Sequence, residues 1–336
     1  MKMKPKVLVS RAVFPEVIER LSTHFEVDYN DVDAPLSPDQ LAARLADKAG
    51  AITLLSDRID AAALAAAPGL KAVCNVAVGY NNFDLTAITQ AGVMATNTPG
   101  VLDDTTADSA WALILASARR IVSADQWVRA GQWKGWKFHD EWMGTDVHHA
   151  TLGILGMGRI GQTVARRAAG FEMRVLYHNR NPLPADTEKA CNAAWVSKEA
   201  LLREVDFLVL LLPYSPAAHH VIGAAELAAM KPTAHLINIA RGGIVDDNAL
   251  IEALQQKRIA GAGMDVFENE PALDPRFLAL DNVVLTPHIG SSTRATRLAM
   301  AMLAADNLIA ALGGQRPPQP AQPRSPARLK KKEAPQ

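Results

Sequence analysis

Cysteine is scarce: Cys74 and Cys191 are the only two among 336 residues. Neither has a CxxC partner or a neighbouring cluster of metal-type ligands, which excludes a disulfide framework and a thiolate metal centre. Both are expected to be buried, reduced thiols. Aromatic residues make up only 5%, and charge of either sign is missing in excess, with 35 basic groups against 35 acidic ones. A net charge of zero gives no overall field for a phosphate backbone, and the body of the chain shows no basic patch, so no nucleic-acid partner is expected. Long hydrophobic runs are also lacking. Trp111 to Ala116 and Phe207 to Leu212 fall far below the roughly 20 residues that cross a bilayer, so no membrane partner is expected. The start, Met1 to Lys6, is basic, but the apolar stretch after it breaks at Arg11, leaving no signal-type h-region; a cytoplasmic location is the expectation. No HExxH and no GxSxG occurs. The adjacent pairs His148-His149 and His219-His220 are expected to point apart in regular structure, and no metal is expected.

What is present is a 49% hydrophobic composition at a length that suggests two domains. The first hundred residues alternate short β-branched runs (Lys6 to Val9, Val27 to Tyr29, Ala51 to Leu54, Lys71 to Val76) with helical segments, which predicts a parallel α/β unit. Asn97-Thr98-Pro99-Gly100 stops that pattern. A helix over about Asp103 to Arg120, too hydrophobic for an open surface, starts the second domain. From Ala124 to His149, Trp127, Trp133, Trp136 and Trp142 sit in a polar context without a sustained period, the composition of a subunit contact. A second βα series follows, at Thr151 to Leu155, Arg174 to Tyr177, Phe207 to Leu212, His235 to Ile239, Gly263 to Val266 and Val283 to Thr286, and predicts a doubly wound sheet. The helix Thr293 to Leu312, with Leu298, Met302, Ala305 and Ile309 on one stripe, is expected to return to the first domain. The fold expected is therefore α/β with two domains: a smaller flavodoxin-like unit of residues 1–98 and 291–315, and a Rossmann-type unit of residues 99–290. Residues 316–336, rich in proline and ending in Lys330-Lys331-Lys332, are expected to be a disordered tail.

The run Thr151 to Leu155 enters Gly156-Met157-Gly158-Arg159-Ile160-Gly161 and then a helical pattern. In that context Gly156 permits a tight turn, Gly158 lets backbone N–H groups approach a pyrophosphate at a helix N-terminus, and Gly161 brings helix and strand together. A carboxylate that selects NAD usually stands about 20 residues on, at the end of the second strand. Here that strand ends in His178-Asn179-Arg180. With no carboxylate and with Arg180 offering a planar cation to a 2′-phosphate, NADP(H) is expected to be preferred and NAD(H) is the alternative.

Three further segments each pass from an apolar run into Gly or Pro: Ile237 to Gly243, Gly263 to Pro271 and Leu285 to Gly290. In a doubly wound sheet, residues just past the carboxyl ends of strands line the ligand crevice, so Arg241, Glu270 and His288 are expected to converge. Reducing a 2-oxo acid needs a hydride at carbon, a proton at oxygen and a cation to orient the substrate. His288 fits the acid, Glu270 the carboxylate that orients its ring, and Arg241 the fork that grips the substrate. Singly, each has an ordinary structural explanation.

Taken in order, Gly156 to Gly161, Asn238 to Gly243, Asp265 to Pro271 and Pro287 to Gly290 resemble the D-isomer-specific 2-hydroxyacid dehydrogenase family over nearly all of residues 5–313. The resemblance implies a two-domain cleft enzyme, a homodimer acting on a small 2-oxo or 2-hydroxy acid, with Arg241, Glu270 and His288 catalytic. It implies cofactor contacts from Met157, Arg159, Ile160, Asn179, Pro213, Ala240 and Asp265 beside the glycines, and backbone contacts to the substrate carboxylate from Val78 and Gly79. Val78 to Asp84 and Trp142 to His149 look most like the glyoxylate/hydroxypyruvate reductases, including those that reduce 2-ketogluconate. In such relatives a Trp matching Trp142 reaches the other subunit's site; the alternative is an ordinary Trp of a dimer core. Phosphoglycerate and phosphite dehydrogenases and nucleotide-sensing proteins of the same fold are the competing readings.

Overall fold

The structure is a computed structural model, and it describes residues 3–321. The chain forms two compact units, one running through Val101 and resuming at Arg294, the other spanning Leu102–Thr293. The first unit is built on five parallel strands, β1 (Lys6–Val9), β2 (Glu26–Tyr29), β3 (Gly50–Thr53), β4 (Ala72–Asn75) and β5 (Met94–Thr96), in the order β2-β1-β3-β4-β5. Because successive side chains alternate between faces, Leu8, Ala51, Val73 and Ala95 join Leu41, Leu45, Ile59 and Ile88 in one buried cluster. Their neighbours Val7, Val9, Ile52, Ala72 and Cys74 enter another with Val17 and Leu21. Both faces are covered, as a parallel sheet requires.

The helix Arg294–Leu312 completes the second of these clusters. Its contribution to that cluster is Ala301, Ala304, Ala305 and Leu308, a stripe rotated from the expected one, with Leu298, Met302 and Ile309 only partly buried. The cause is close approach. Its alanines bring it down on the sheet, and a Cβ at Gly50 would lie 2.7 Å from Leu308 Cδ1, so glycine there makes the notch that admits this leucine. By length and composition alone the helix is apolar enough to cross a bilayer, yet one of its faces belongs to the core of this unit. The expectation of an unstructured segment from residue 316 needs correction. Pro320 bridges Thr96 in antiparallel fashion, and Ala321 N–H donates to the Ala95 carbonyl at 2.9 Å. Buried Asn307 accepts from Gln319 N–H at 3.0 Å and donates to the Asn97 carbonyl at 3.2 Å, which gives the segment a partner despite its lack of periodicity. The remainder of that tail, residues 322–336, lies outside the described residues.

The second unit holds seven parallel strands: β6 (Thr151–Leu155), β7 (Arg174–His178), β8 (Ala193–Trp195), β9 (Phe207–Leu210), β10 (His235–Asn238), β11 (Gly261–Met264) and β12 (Val283–Leu285). Their order is β12-β11-β10-β9-β6-β7-β8. The chain runs outward from β6 to β8, then returns to lay β9 on the other side of β6, a Rossmann-type doubly wound sheet whose order reverses at β6 and β9. The helix Asp103–Ala118 buries Ala107, Ala110, Trp111, Leu113 and Ile114 against it. Trp111 stacks on Phe171 at 4.7 Å and donates its indole N–H to the Val164 carbonyl. The segment read as aperiodic after this helix begins with a further helix, Ile121–Arg129, entered through Arg120 in the left-handed region at φ 51°.

His235, at the start of β10, is buried, stacks on Phe207 and meets the Ser117 hydroxyl at 2.8 Å through Nδ1. Burial pushes its imidazole down to about 4 from an ordinary 6.5. Protonation therefore opposes the fold: the stability held by the neutral ring is complete above pH 6.5 and is lost as pH falls toward 4, on the order of 3 kcal/mol in all. We expect denaturant unfolding at pH 7.5 and pH 4.5 to show a smaller pH-dependent loss for His235→Gln than for the unmodified chain. Equal losses would place the acid sensitivity elsewhere.

Candidate active site

The glycine loop leaves β6 at Gly156, whose φ is 104°. A Cβ there would lie 2.5 Å from the backbone nitrogen of Leu212 in the segment after β9, and one at Gly161 would lie 2.7 Å from the Gly156 carbonyl oxygen. Both glycines are thus demanded by packing. Gly158 differs: a Cβ there would meet nothing within 4 Å, and the residue stands as N-cap of the helix Arg159–Ala168, which no side chain caps. An uncapped helix start with open space before it suits a phosphate group in geometry and in dipole, so these residues fit the dinucleotide that the fold implies.

At the far end of β7 the predicted residues separate in role. Asn179 turns inward, its Oδ1 accepting the Met157 N–H at 2.7 Å, so it braces the glycine loop itself. Its carbonyl accepts the Trp195 indole N–H at 2.9 Å. Tyr177 holds the following turn, its hydroxyl accepting from Leu183 N–H and donating to Glu188, both at 2.6 Å. Arg180, between these anchors, is exposed and has no hydrogen bond or ion pair among the described residues. Pro213 is exposed in the segment after β9.

Arg241, Glu270 and His288 do come together, past the ends of β10, β11 and β12. The Arg241 turn is knitted by Asn238, whose Oδ1 accepts from Ala240 N–H at 3.1 Å and whose amide donates to the Arg241 carbonyl at 3.2 Å. Arg241 itself donates to the Ala240 carbonyl at 2.7 Å. A Cβ at Gly242 would fall 1.8 Å from the Phe267 carbonyl oxygen, so only glycine lets this turn back onto the segment that carries Glu270. Glu270 accepts the Phe267 N–H at 2.8 Å through one oxygen and meets His288 Nδ1 at 2.8 Å through the other. With Nδ1 so engaged, Nε2 is the ring atom left for a ligand. His288 and Glu270 are 31% and 33% exposed, open enough for a small molecule. Burial pushes the Glu270 carboxyl up, but the His288 hydrogen bond and charge, the Phe267 N–H and Arg241 together bring it below its ordinary value. Burial likewise lowers Arg241, and Glu270 opposes that shift.

Asp265, expected beside the cofactor, is fully engaged within the protein. One carboxylate oxygen accepts from Thr286 Oγ1 at 2.6 Å and Ile289 N–H at 2.8 Å, and the other from Gly290 N–H at 2.9 Å. Its carbonyl accepts the His288 N–H at 2.9 Å. Asp265 thus holds the loop on which His288 adopts the left-handed region at φ 54°. Asn238 and Thr286 went unassigned in the sequence because a small polar residue at a strand end reads as ordinary turn chemistry.

In the other unit, the Val78–Gly79 loop is drawn inward by its carbonyls. Asn97 donates to Val78 at 2.8 Å, Asn75 to Gly79 at 3.1 Å and Thr98 N–H to Ala77 at 2.9 Å. The N–H groups of Val78 and Gly79 make no hydrogen bond among the described residues. Trp142 packs at 5.5 Å on Trp127 and under the Arg120 guanidinium, and its indole N–H has no partner among the described residues. The expectation that adjacent histidines point apart fails at His219-His220. His220 is left-handed at φ 51°, which swings its ring over His219 at 3.8 Å between centroids.

The model of the D-isomer specific 2-hydroxyacid dehydrogenase NAD-binding domain matches residues 111–290, and the chain belongs to this family. Among its relatives, glyoxylate reductase of Thermococcus onnurineus is 49% identical over 319 residues, covering 94% of this chain and 95% of the relative. A protein of Thermus thermophilus superposes with a TM-score of 0.87 at 42% identity, over 94% of this chain and all of that one. The NADPH-dependent glyoxylate/hydroxypyruvate reductase of Sinorhizobium meliloti, solved with NADP and malonate, superposes with a TM-score of 0.85 at 33% identity, over 95% and 97% of the two chains.

Asp265→Asn tests the loop anchor. An amide nitrogen cannot accept the Gly290 N–H, and a buried donor left unsatisfied costs about 1–3 kcal/mol. The expected outcome is that loss in denaturant unfolding; unchanged stability would show that the carboxylate does not hold the loop.

Proposed function

We propose that the protein reduces small 2-oxo acids at the expense of NADPH, with glyoxylate as principal substrate and hydroxypyruvate and 2-keto-D-gluconate as wider ones. The observation that carries this reading is the His288–Glu270 hydrogen bond with Arg241 in electrostatic range of the same carboxylate. The reduced nicotinamide, when bound, supplies the hydride. His288 delivers the proton through Nε2 to the carbonyl oxygen, so that carbon gains a hydride, oxygen gains a proton, and the product is a 2-hydroxy acid. Glu270 fixes the ring through Nδ1. Arg241 orients the carboxylate and carbonyl of the substrate, and Val78 and Gly79, whose N–H groups make no hydrogen bond among the described residues, are the backbone donors that the family resemblance offers to a carboxylate. Gly156 to Gly161, with Pro213 and Ala240, hold the dinucleotide, and Arg180 meets its 2′-phosphate. The exposure of Arg180, the absence of a carboxylate at the end of β7 and the NADP bound in the S. meliloti relative support the preference for NADPH.

The same reading includes a homodimer. Val128, Trp133, Trp136, Phe138 and Met143 are between 49% and 79% exposed within one short stretch of chain, a density of large apolar groups that marks an association surface. Trp142 lies in this stretch, packed on Trp127 and under the Arg120 guanidinium.

Steady-state kinetics with glyoxylate test the chemistry. His288→Ala is expected to lower kcat by about 10²- to 10⁴-fold, the usual contribution of a positioned acid, while NADPH affinity changes little. Arg180→Ala is expected to weaken NADPH roughly tenfold or more, the scale of a lost charged hydrogen bond, and NADH hardly at all. No turnover of any 2-oxo acid, or equal effects of Arg180→Ala on both cofactors, would overturn the corresponding assignment. Sedimentation should give a dimer that dissociates more readily in the Trp136→Asp, Phe138→Asp double variant. A monomer at all concentrations would refute the association surface.

A further inference from the structure

The stacked pair His219-His220 lies outside the proposed reaction, and it does not stand alone. One ring nitrogen from each histidine and a carboxylate oxygen of Glu268 all lie within 4.8 Å of one another. His220 Nε2 is hydrogen-bonded to Glu268, while its Nδ1 stands 3.9 Å from the Asp246 carboxylate. His219 Nδ1 meets the Tyr214 hydroxyl at 3.3 Å. Thus the Nδ1 of His219 has a hydroxyl partner, and that of His220 faces a carboxylate. Glu268 is held as well, its backbone N–H donating to buried Asp247 at 3.0 Å. An outer partner on the second nitrogen of a ring, with an ionisable oxygen near that of the other, is what helps fix ring orientation around a bound metal. An ordinary ion pair between His220 and Glu268 explains neither the second imidazole stacked on the first nor the hydroxyl on its Nδ1.

We infer that Nε2 of His219, Nε2 of His220 and the Glu268 carboxylate form a binding site for one divalent cation of the Zn²⁺ class. Two imidazoles and one carboxylate suit zinc, cobalt, nickel or copper, whereas magnesium and calcium seek oxygen alone. Three protein ligands leave a fourth position for water. The site is tied to the loops past β10 and β11, because His220 N–H donates to the Gly243 carbonyl at 2.8 Å and Glu268 is two residues before Glu270. An ion here clamps those two loops together.

The test uses the full chain, stripped of metal by chelator and titrated with Co²⁺ followed by visible absorption, with Zn²⁺ added as competitor. The expected result is one Co²⁺ per chain with d–d bands of low coordination number, displaced by Zn²⁺. Tyr214→Phe is expected to weaken Zn²⁺ roughly 10-fold or more, as loss of an outer partner does, and His219→Ala to weaken it further. His219 is exposed and Tyr214 partly so, so both variants are expected to fold, which circular dichroism checks. Absence of binding, binding unchanged in His219→Ala, or binding lost instead in a His148→Ala, His149→Ala variant would each overturn the site. The readout is metal affinity, so it stands apart from any result on 2-oxo acid turnover.

Discussion

The functional end of the Rossmann unit depends on one buried carboxylate. Asp265 sits 2% exposed just past β11 and receives two backbone N–H groups and a hydroxyl from the segment after β12. Hydrogen bonds to an ionised acceptor are the strong ones, and three of them offset the cost of order 1–2 kcal/mol that a left-handed backbone imposes on His288. That anchor holds the loop from which His288 reaches Glu270. The carboxylate that the family resemblance sets beside the cofactor also supports the loop that carries the ring.

The same economy recurs nearby. Asn238 ties the Arg241 turn through its own side chain, Gly242 lets that turn back onto Phe267, and Glu270 caps the Phe267 N–H with the oxygen that does not touch His288. Each group that faces the site is held by another that faces away from it, the condition for preorganised chemistry. The glycine loop follows the rule too, since Asn179 reaches back from β7 to fix Met157 and leaves Arg180 exposed at that edge, without a partner among the described residues.

Much of this was legible in the sequence because a parallel sheet covered on both faces shows its strands as short apolar runs, and each run here breaks into Gly, Pro or Asn where the chain leaves the sheet. The convergence of Arg241, Glu270 and His288 follows from that topology alone. What was not legible depends on side chains meeting across segments. Asp265 and Asn179 are residue types suited equally to a ligand and to a backbone N–H, and only the fold shows the N–H groups that they accept. The stacking of His219 on His220 follows from one left-handed residue, a conformation no residue spacing announces. Gln319 to Ala321 pair with β5 through a buried Asn307 that lies on the polar side of no obvious pattern. The buried stripe of the helix Arg294–Leu312 was displaced by alanines and by the notch at Gly50, features of packing and not of period.

The most direct test of the central claim is a crystal structure of the protein with NADPH and oxamate, an unreactive analogue of a 2-oxo acid. The account predicts His288 Nε2 within hydrogen-bond reach of the analogue's carbonyl oxygen, about 2.6–3.2 Å, with Nδ1 still on Glu270 and the Arg241 guanidinium on the analogue. An analogue bound away from His288, or an imidazole that has left Glu270, would contradict it.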